Sequence, residues 1–360
     1  MVPQSERTRI AVDTMGGDQG PEVLVAGAVQ AVQEGDDVII ILVGDEVAIK
    51  RELRKHNVQD LPITIVPSEG VITEDDHPAR ALRQKPKASI LVTTNMVKEG
   101  YADASVTMGS TGAAMAAATV LLGLAKGIDR PALGGPIIGL APRTVVIDLG
   151  SNVDCRPAQL VKFGVIGSVF VRQSWGYKDP RIALLSVGSE TIKGNRQVRE
   201  TAEMFSESDL NFIGNIEAND IFSEKADVVV CDGFVGNIVM KLTEGMGQAI
   251  ADHLKSRLTD KLDNADLRQI TSEIFELNNP LETFGGGPLF GVNGVICVVT
   301  TILGLLTDRR MLGKFNIAYI EELNRFLWNI QFFSFWILAL GIVFGSIIAM
   351  SLTLFKSESK

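Results

Sequence analysis

Residues 9–18 read Arg9-Ile10-Ala11-Val12-Asp13-Thr14-Met15-Gly16-Gly17-Asp18, a short apolar run that ends in an acidic, glycine-rich loop. Pro21 and Glu22 follow, and both suit a helix start: proline lacks the amide a first turn leaves unpaired, and a carboxylate faces the positive end of the dipole. Strand, glycine loop and helix form the unit from which open parallel sheets are built. The unit recurs where Val106 runs into Gly109-Ser110-Thr111-Gly112, Ile147 into Asp148-Leu149-Gly150-Ser151-Asn152, and Val187 into Gly188-Ser189-Glu190.

Outward from these exits, β-branched runs predict strands over 9–12, 38–43, 63–66, 104–107, 144–148, 181–187 and 227–231. Amphipathic stretches over 22–33, 111–122, 158–174 and 237–257 predict helices between them. Such alternation specifies an α/β fold with a largely parallel sheet. Ligands of these sheets bind beyond the carboxyl ends of strands. The four glycine-rich exits are therefore expected on one edge, around one shared cleft.

A net charge of −9 over 360 residues argues against nucleic acid, because a polyanion needs a basic surface. An anionic substrate must be met by a local site instead. Cys155, Cys231 and Cys297 are far apart and sit in apolar or glycine-rich surroundings, as reduced thiols do, and neither they nor the scattered His56, His77 and His253 suggest a metal cluster. Cys155 has no histidine near it in sequence and reads as a small buried hydrophobe rather than a nucleophile.

Candidate chemistry sits in the exits. Gly109-Ser110-Thr111-Gly112 opens a helix whose unpaired amides suit phosphate, although Ser110 and Thr111 equally suit helix capping. Gly16 and Gly17 allow a ligand close to backbone, while Asp13 and Asp18 offer carboxylates to a hydroxyl or a lysine. Lys193 lies between Gly188 and Gly194 beside Asn195, where a cation would meet phosphate oxygens or a thioester carbonyl gaining charge. Asp232-Gly233-Phe234-Val235-Gly236-Asn237 leads into the long helix, with Asn237 placed to cap it or to offer its amide. Arg80, Arg83, Lys85 and Lys87 form a basic stretch in an acidic chain, either a solvated helix face or a dock for an acidic carrier. A last glycine loop spans 284–294.

In order and spacing these segments resemble the bacterial acyl-carrier-protein:phosphate acyltransferases of phospholipid synthesis. The likeness is carried by Asp13–Asp18, Val43-Gly44-Asp45, Gly109–Ala113, Gly127-Ile128-Asp129-Arg130-Pro131-Ala132, Asp148–Cys155, Lys193-Gly194-Asn195, Phe212-Ile213-Gly214-Asn215 and Asp232–Asn237. It implies a fold like that of isocitrate and isopropylmalate dehydrogenases and of phosphotransacetylase, a homodimer, and no metal or nucleotide cofactor. It implies direct attack of inorganic phosphate on a fatty acyl thioester of acyl carrier protein, giving acyl phosphate. Lys193 and Asn237 are then the catalytic residues, and Asp13, Gly16, Gly17, Asp18, Gly109, Ser110, Thr111, Gly112, Asn152, Asn195 and Asp232 bind substrate. Arg80, Arg83, Lys85 and Lys87 would dock the carrier. Ser110 stands where the family has Asn, and Ser189 where it has a second Glu. A phosphotransacetylase-like enzyme using acyl-coenzyme A, or an inactive carrier-binding scaffold tethered to a membrane, are the rival readings.

Residues 326–355 contain no charged side chain. A run this long meets the roughly 20 residues a bilayer requires, so a transmembrane helix is expected over 328–355, after a catalytic domain at 1–300 and a polar linker at 301–327. Basic residues before the run place the catalytic part on the cytoplasmic side of the membrane. A membrane glycerol-3-phosphate acyltransferase would be the next user of the lipid-like product.

Overall fold

The computed structural model describes residues 7–17, 20–34, 38–259, 261–280 and 286–299. The first half runs β1 (Thr8–Asp13), α1 (Gly20–Glu34), β2 (Val38–Gly44), α2 (Glu46–Leu53), β3 (Ile63–Pro67), α3 (Pro78–Gln84), α4 (Ser89–Lys98), β4 (Ala104–Thr107) and α5 (Thr111–Ala117), which continues as a π-helical turn at Ala118–Leu122. Then come β5 (Ala132–Gly135), β6 (Val145–Ile147), α6 (Pro157–Trp175), β7 (Ile182–Leu185), α7 (Arg196–Ser206), β8 (Phe212–Ile216), β9 (Val228–Val230), α8 (Gly233–Leu258), α9 (Asn264–Asn278), β10 (Gly286–Phe290) and β11 (Val295–Val299).

All these strands join one sheet of order β3-β2-β1-β4-β11-β10-β5-β6-β9-β7-β8. Within each half the pairing is parallel, as the alternation of strand and helix requires. Between the halves lie three antiparallel steps, β11 to β10, β10 to β5 and β5 to β6. An odd number of reversals turns β6, β9, β7 and β8 against β1 and β4. The expectation of four exits on one edge is thus corrected: the exits of β1 and β4 form one group, and those of β6, β9 and β7 form another. The cause is β5, β10 and β11, where β10 and β11 form a hairpin inserted between β4 and β5, two strands far from it in sequence.

What the two groups share is a sheet face. Along β6, Val145 and Ile147 point into a core with Phe163, Ile166 and Phe170 of α6, whereas Val146 points the other way, with Val229, Ala183 and Met240 of α8. That alternation is the period-two pleat of a strand buried on both faces. Leu133 on β5 packs against this second core and also against Ala113, Ala114 and Ala117 of α5. One side chain cannot leave both faces, so α5 and α8 cover the same one.

The expected transmembrane helix does not belong to this fold. Among the described residues no helix is long and apolar enough to cross a membrane. The longest, α8, carries Lys241, Glu244, Asp252, Lys255 and Arg257, and α6 owes its apolar character to burial against the sheet. Residues 301–327 and 328–355, to which a linker and a membrane helix were assigned, lie outside the described residues, and the fold class is corrected to the α/β unit alone.

Candidate active site

Two neighbouring exits build the first group. The buried Asp13 carboxylate accepts from Met15 N (3.2 Å), Gly16 N (3.1 Å) and Thr107 Oγ1 (2.8 Å), and so ties the end of β1 to the end of β4. Gly16 is obligatory here, since a Cβ on it would stand 2.6 Å from Gly109 N. Burial pushes the Asp13 carboxyl above its usual range, against the pull of those donors. Ser110 caps α5, accepting from Ala113 N at 3.4 Å, and donates its hydroxyl to Glu74 Oε2 at 3.1 Å. Thr111 and Gly112 form the first turn of that helix. Gly17 continues the loop beside Met108. Asp18 and residues 284–285 of the last glycine loop lie outside the described residues.

The second group is denser. Asp148, fully buried beyond β6, receives Leu133 N (3.2 Å), Gly150 N (3.3 Å) and Ser151 N (3.0 Å) on Oδ1, and the Asn152 amide (2.7 Å) and Nδ2 (2.8 Å) on Oδ2. Burial raises its proton affinity while these bonds oppose the rise. Asn152 gives its second amide hydrogen to Pro131 O at 2.8 Å, and its backbone carbonyl accepts from Gly233 N at 2.7 Å. This buried asparagine, expected to bind substrate, therefore holds the β6 exit against the start of α8. A Cβ on Gly236 would fall 1.9 Å from Asp148 O, so only glycine lets α8 come this close.

The expected helix start at 237 moves four residues earlier. Asp232 is the cap of α8, accepting from Val235 N at 2.8 Å, because the Asp-Gly-Phe-Val sequence after β9 already supplies cap and first turn. Asn237 is exposed in the second turn, freed from capping, with its side chain beside Gly150. Asn195 likewise caps α7 through Val198 N at 2.9 Å. Lys193 lies just before it in an exposed turn closed by Lys193 N donating to Glu190 O at 3.0 Å, its stem against Gly188. Its ammonium has no ion-pair partner among the described residues. Asn215 on β8 steadies that turn by donating Nδ2 to the same Glu190 carbonyl at 3.1 Å.

Cys155 and Cys231 stand beside this group, and both are held as thiols. Burial first, then the charges of Asp148 and Asp232, push Cys155 up to about 12, and Cys231 rises for the same causes. Arg130 is an exposed cation near enough to draw Cys155 partly back down, and it was not among the expected site residues. Its signal was its place one residue before Pro131, whose carbonyl Asn152 holds. Of the expected carrier dock, Lys85 is committed to Asp76 (2.6 Å) and Val71 O (2.9 Å), and Lys87 to Glu69 (2.8 Å). Arg80 and Arg83 are exposed and without an ion-pair partner among the described residues.

This architecture is that of the phosphotransacetylases: a phosphotransacetylase from Streptococcus pyogenes superposes with a TM-score of 0.59 at 18% identity, covering 88% of this chain and 94% of that one. One from Staphylococcus aureus gives 0.55 at 15% identity, covering 86% and 94%. At such identities the likeness shows the fold alone. A family model described as fatty acid synthesis protein matches residues 8–301. A phosphate acyltransferase of Geobacter sulfurreducens is 43% identical over 294 residues, 81% of this chain and 84% of the relative, and one of Synechocystis is 44% identical over 301 residues, 82% and 85%. The chain belongs to the phosphate acyltransferase family, and it is an acyltransferase.

Proposed function

We propose that the protein transfers a fatty acyl group from acyl carrier protein to inorganic phosphate, the phosphate attacking the thioester directly. The observation that carries this reading is the exit group of β6, β9 and β7, three adjacent parallel strands that bring Lys193, with no ion-pair partner among the described residues, the exposed Asn237 amide and the amino end of a long helix to one edge. Phosphate is already a nucleophile. The protein need only hold it and stabilise the oxyanion that forms on the thioester carbonyl. In the step, a phosphate oxygen bonds to the carbonyl carbon, the C–S bond breaks, and the carrier thiol leaves with a proton from solvent or phosphate. Lys193 and Asn237 are assigned to the charge that develops. Cys155, kept protonated by its burial, takes no part as a nucleophile.

The amino end of α8, with its positive dipole, supports anion binding there. Asp232 and Asn195 act as scaffold by capping α8 and α7, and Asp148 with Asn152 Nδ2 holds the β6 exit, while Asn152 Oδ1 is buried without a hydrogen-bond partner among the described residues. The homodimer is supported by Phe234, Ile238, Leu242, Met246 and Ile250, one exposed apolar ridge along α8 at four-residue spacing.

The test is incubation of purified protein with a palmitoyl thioester of acyl carrier protein and phosphate, trapping acyl phosphate with hydroxylamine and titrating the released carrier thiol. Equal yields of both support the reading. Acyl phosphate from acyl-coenzyme A but none from the carrier thioester would replace it with the phosphotransacetylase-like alternative.

A further inference from the structure

A groove of about 550 Å³ opens between α3, α4 and the π-helical turn that ends α5. Its lining is mostly aliphatic, with Leu82, Leu91, Val92, Met96 and Leu121, and Arg83, Asn95 and Glu99 are its polar residues. The size falls within the roughly 300–1,000 Å³ of small-molecule sites. A partner helix, about 10–12 Å across with its side chains, is a poor match for it. The occupant is thus narrow and apolar.

Position connects this groove to the chemistry. Leu121, Leu82 and Leu91 belong with Leu133 to one apolar cluster under α5, and Leu133 N is bonded to Asp148 in the β6 exit. Because α5 and α8 cover one sheet face, Asn237 and the groove are on the same side of the sheet. The other end of the groove wall faces a different need. Pro78, at the start of α3, abuts Gly112 in the first turn of α5, and Arg80 and Arg83, three residues apart on α3, are the two cations of the basic stretch that have no carboxylate partner among the described residues. An apolar slot lined by Arg83, with Arg80 one turn back on α3, fits an apolar chain delivered by an anionic carrier.

We infer that this groove receives the hydrocarbon tail of a long-chain acyl group, so that α3, α4 and the π turn set chain-length preference. The inference rests on the acyl-transfer reading above and deepens it. Short acyl groups would not reach the slot and would gain nothing from it.

Two measurements test it. Val92→Phe, which fills the slot, is expected to raise KM for a palmitoyl carrier thioester about tenfold or more, the scale of losing burial of roughly two methylenes, while a butyryl thioester keeps its rate. An equal loss for both chain lengths overturns the inference. Met96→Cys, a smaller change, allows maleimide labelling at that position in the full chain, read by peptide mass. Palmitoyl carrier protein should slow labelling at least tenfold, whereas butyryl carrier protein and acyl-free carrier should not. Equal protection by acyl-free carrier assigns the groove to a protein surface, and labelling that slows with protein concentration alone assigns it to a second copy; either overturns the inference. Protection by palmitoyl thioester with no acyl phosphate formed would leave the acyl site standing and sink the proposed reaction instead, so the two readings fail separately.

Discussion

Asn237 lies against Gly150: a Cβ built on that glycine would stand 3.3 Å from Asn237 Oδ1, and Gly150 itself holds φ at +131°. The second turn of α8 and the exit of β6 thus share a contact that only glycine permits. Gly150→Ala combines a strained backbone with a crowded amide. It is expected to lower kcat about tenfold or more and to reduce the melting temperature, whereas Asn237→Ala should lower kcat with the melting temperature nearly unchanged. Parallel kinetics and thermal melts on both variants check this; a full-rate Gly150→Ala enzyme would detach Asn237 from the site.

Lys193 has a different support, the turn closed on Glu190 O and steadied by Asn215. Lys193→Met should lower turnover about 10²-fold or more, the usual cost of one preorganised donor to a developing charge. Since the side chain is exposed and has no ion-pair partner among the described residues, stability should shift by under about 0.5 kcal/mol. Steady-state rates with phosphate varied separate the two roles open to it: a raised KM for phosphate marks ground-state binding, and a lowered kcat marks the oxyanion.

The basic stretch divides in two. Neutralising Arg80 and Arg83 is expected to slow capture of acyl carrier protein and flatten its dependence on salt, because free surface cations act on association rate. Neutralising Lys85 and Lys87 should change capture little, their charges being answered by Asp76 and Glu69, and cost up to about 1 kcal/mol of stability. Stopped-flow association at several ionic strengths distinguishes the pairs.

Asp13 gives stability a pH dependence of known sign. Its proton is held more tightly in the folded chain than in the unfolded one. As pH rises from about 4, the ordinary aspartate value, the unfolded chain releases its proton first, so the free energy of unfolding falls until the raised folded value is passed. The gap in unfolding free energy between the native protein and Asp13→Asn should therefore narrow or reverse as pH rises, by at most about 1.4 kcal/mol per unit. Urea melts across that range measure it, and a gap that widens with pH refutes the assignment.

Cys155→Ala should keep near-native turnover, and the native thiol should resist iodoacetamide at neutral pH while the protein is folded, because little thiolate exists below about 12. Loss of activity beyond about tenfold with the fold intact would reinstate a thiol nucleophile.

Much of the fold was present in local sequence. Each of the seven expected strands formed, because β-branched runs followed by glycine loops state their conformation within a few residues. The eight motifs likewise pointed to the family without any coordinates. Local signals also mark caps, yet they do not say which polar residue will serve as one. Asp232 and Asn195, read as substrate-binding, cap α8 and α7, while Asn237, read as a cap or a ligand and assigned by the resemblance to catalysis, stands exposed in the second turn of α8.

Pairing across the chain was decided only by tertiary structure. β5, β10 and β11 are short; β5 pairs with β6 and β10 with β11 close by in sequence, but β10 also pairs with β5 and β11 with β4 more than a hundred residues away, and nothing in their periodicity announces three antiparallel steps. Those steps separate the two groups of exits that a single edge would have joined. The same holds for charge: Lys85 and Arg83 are two residues apart and alike in sequence, but whether a cation is spent or free depends on which carboxylate the fold brings within 4 Å of it. Strand conformation is settled by neighbours along the chain, whereas register and ion pairing are settled by neighbours in space.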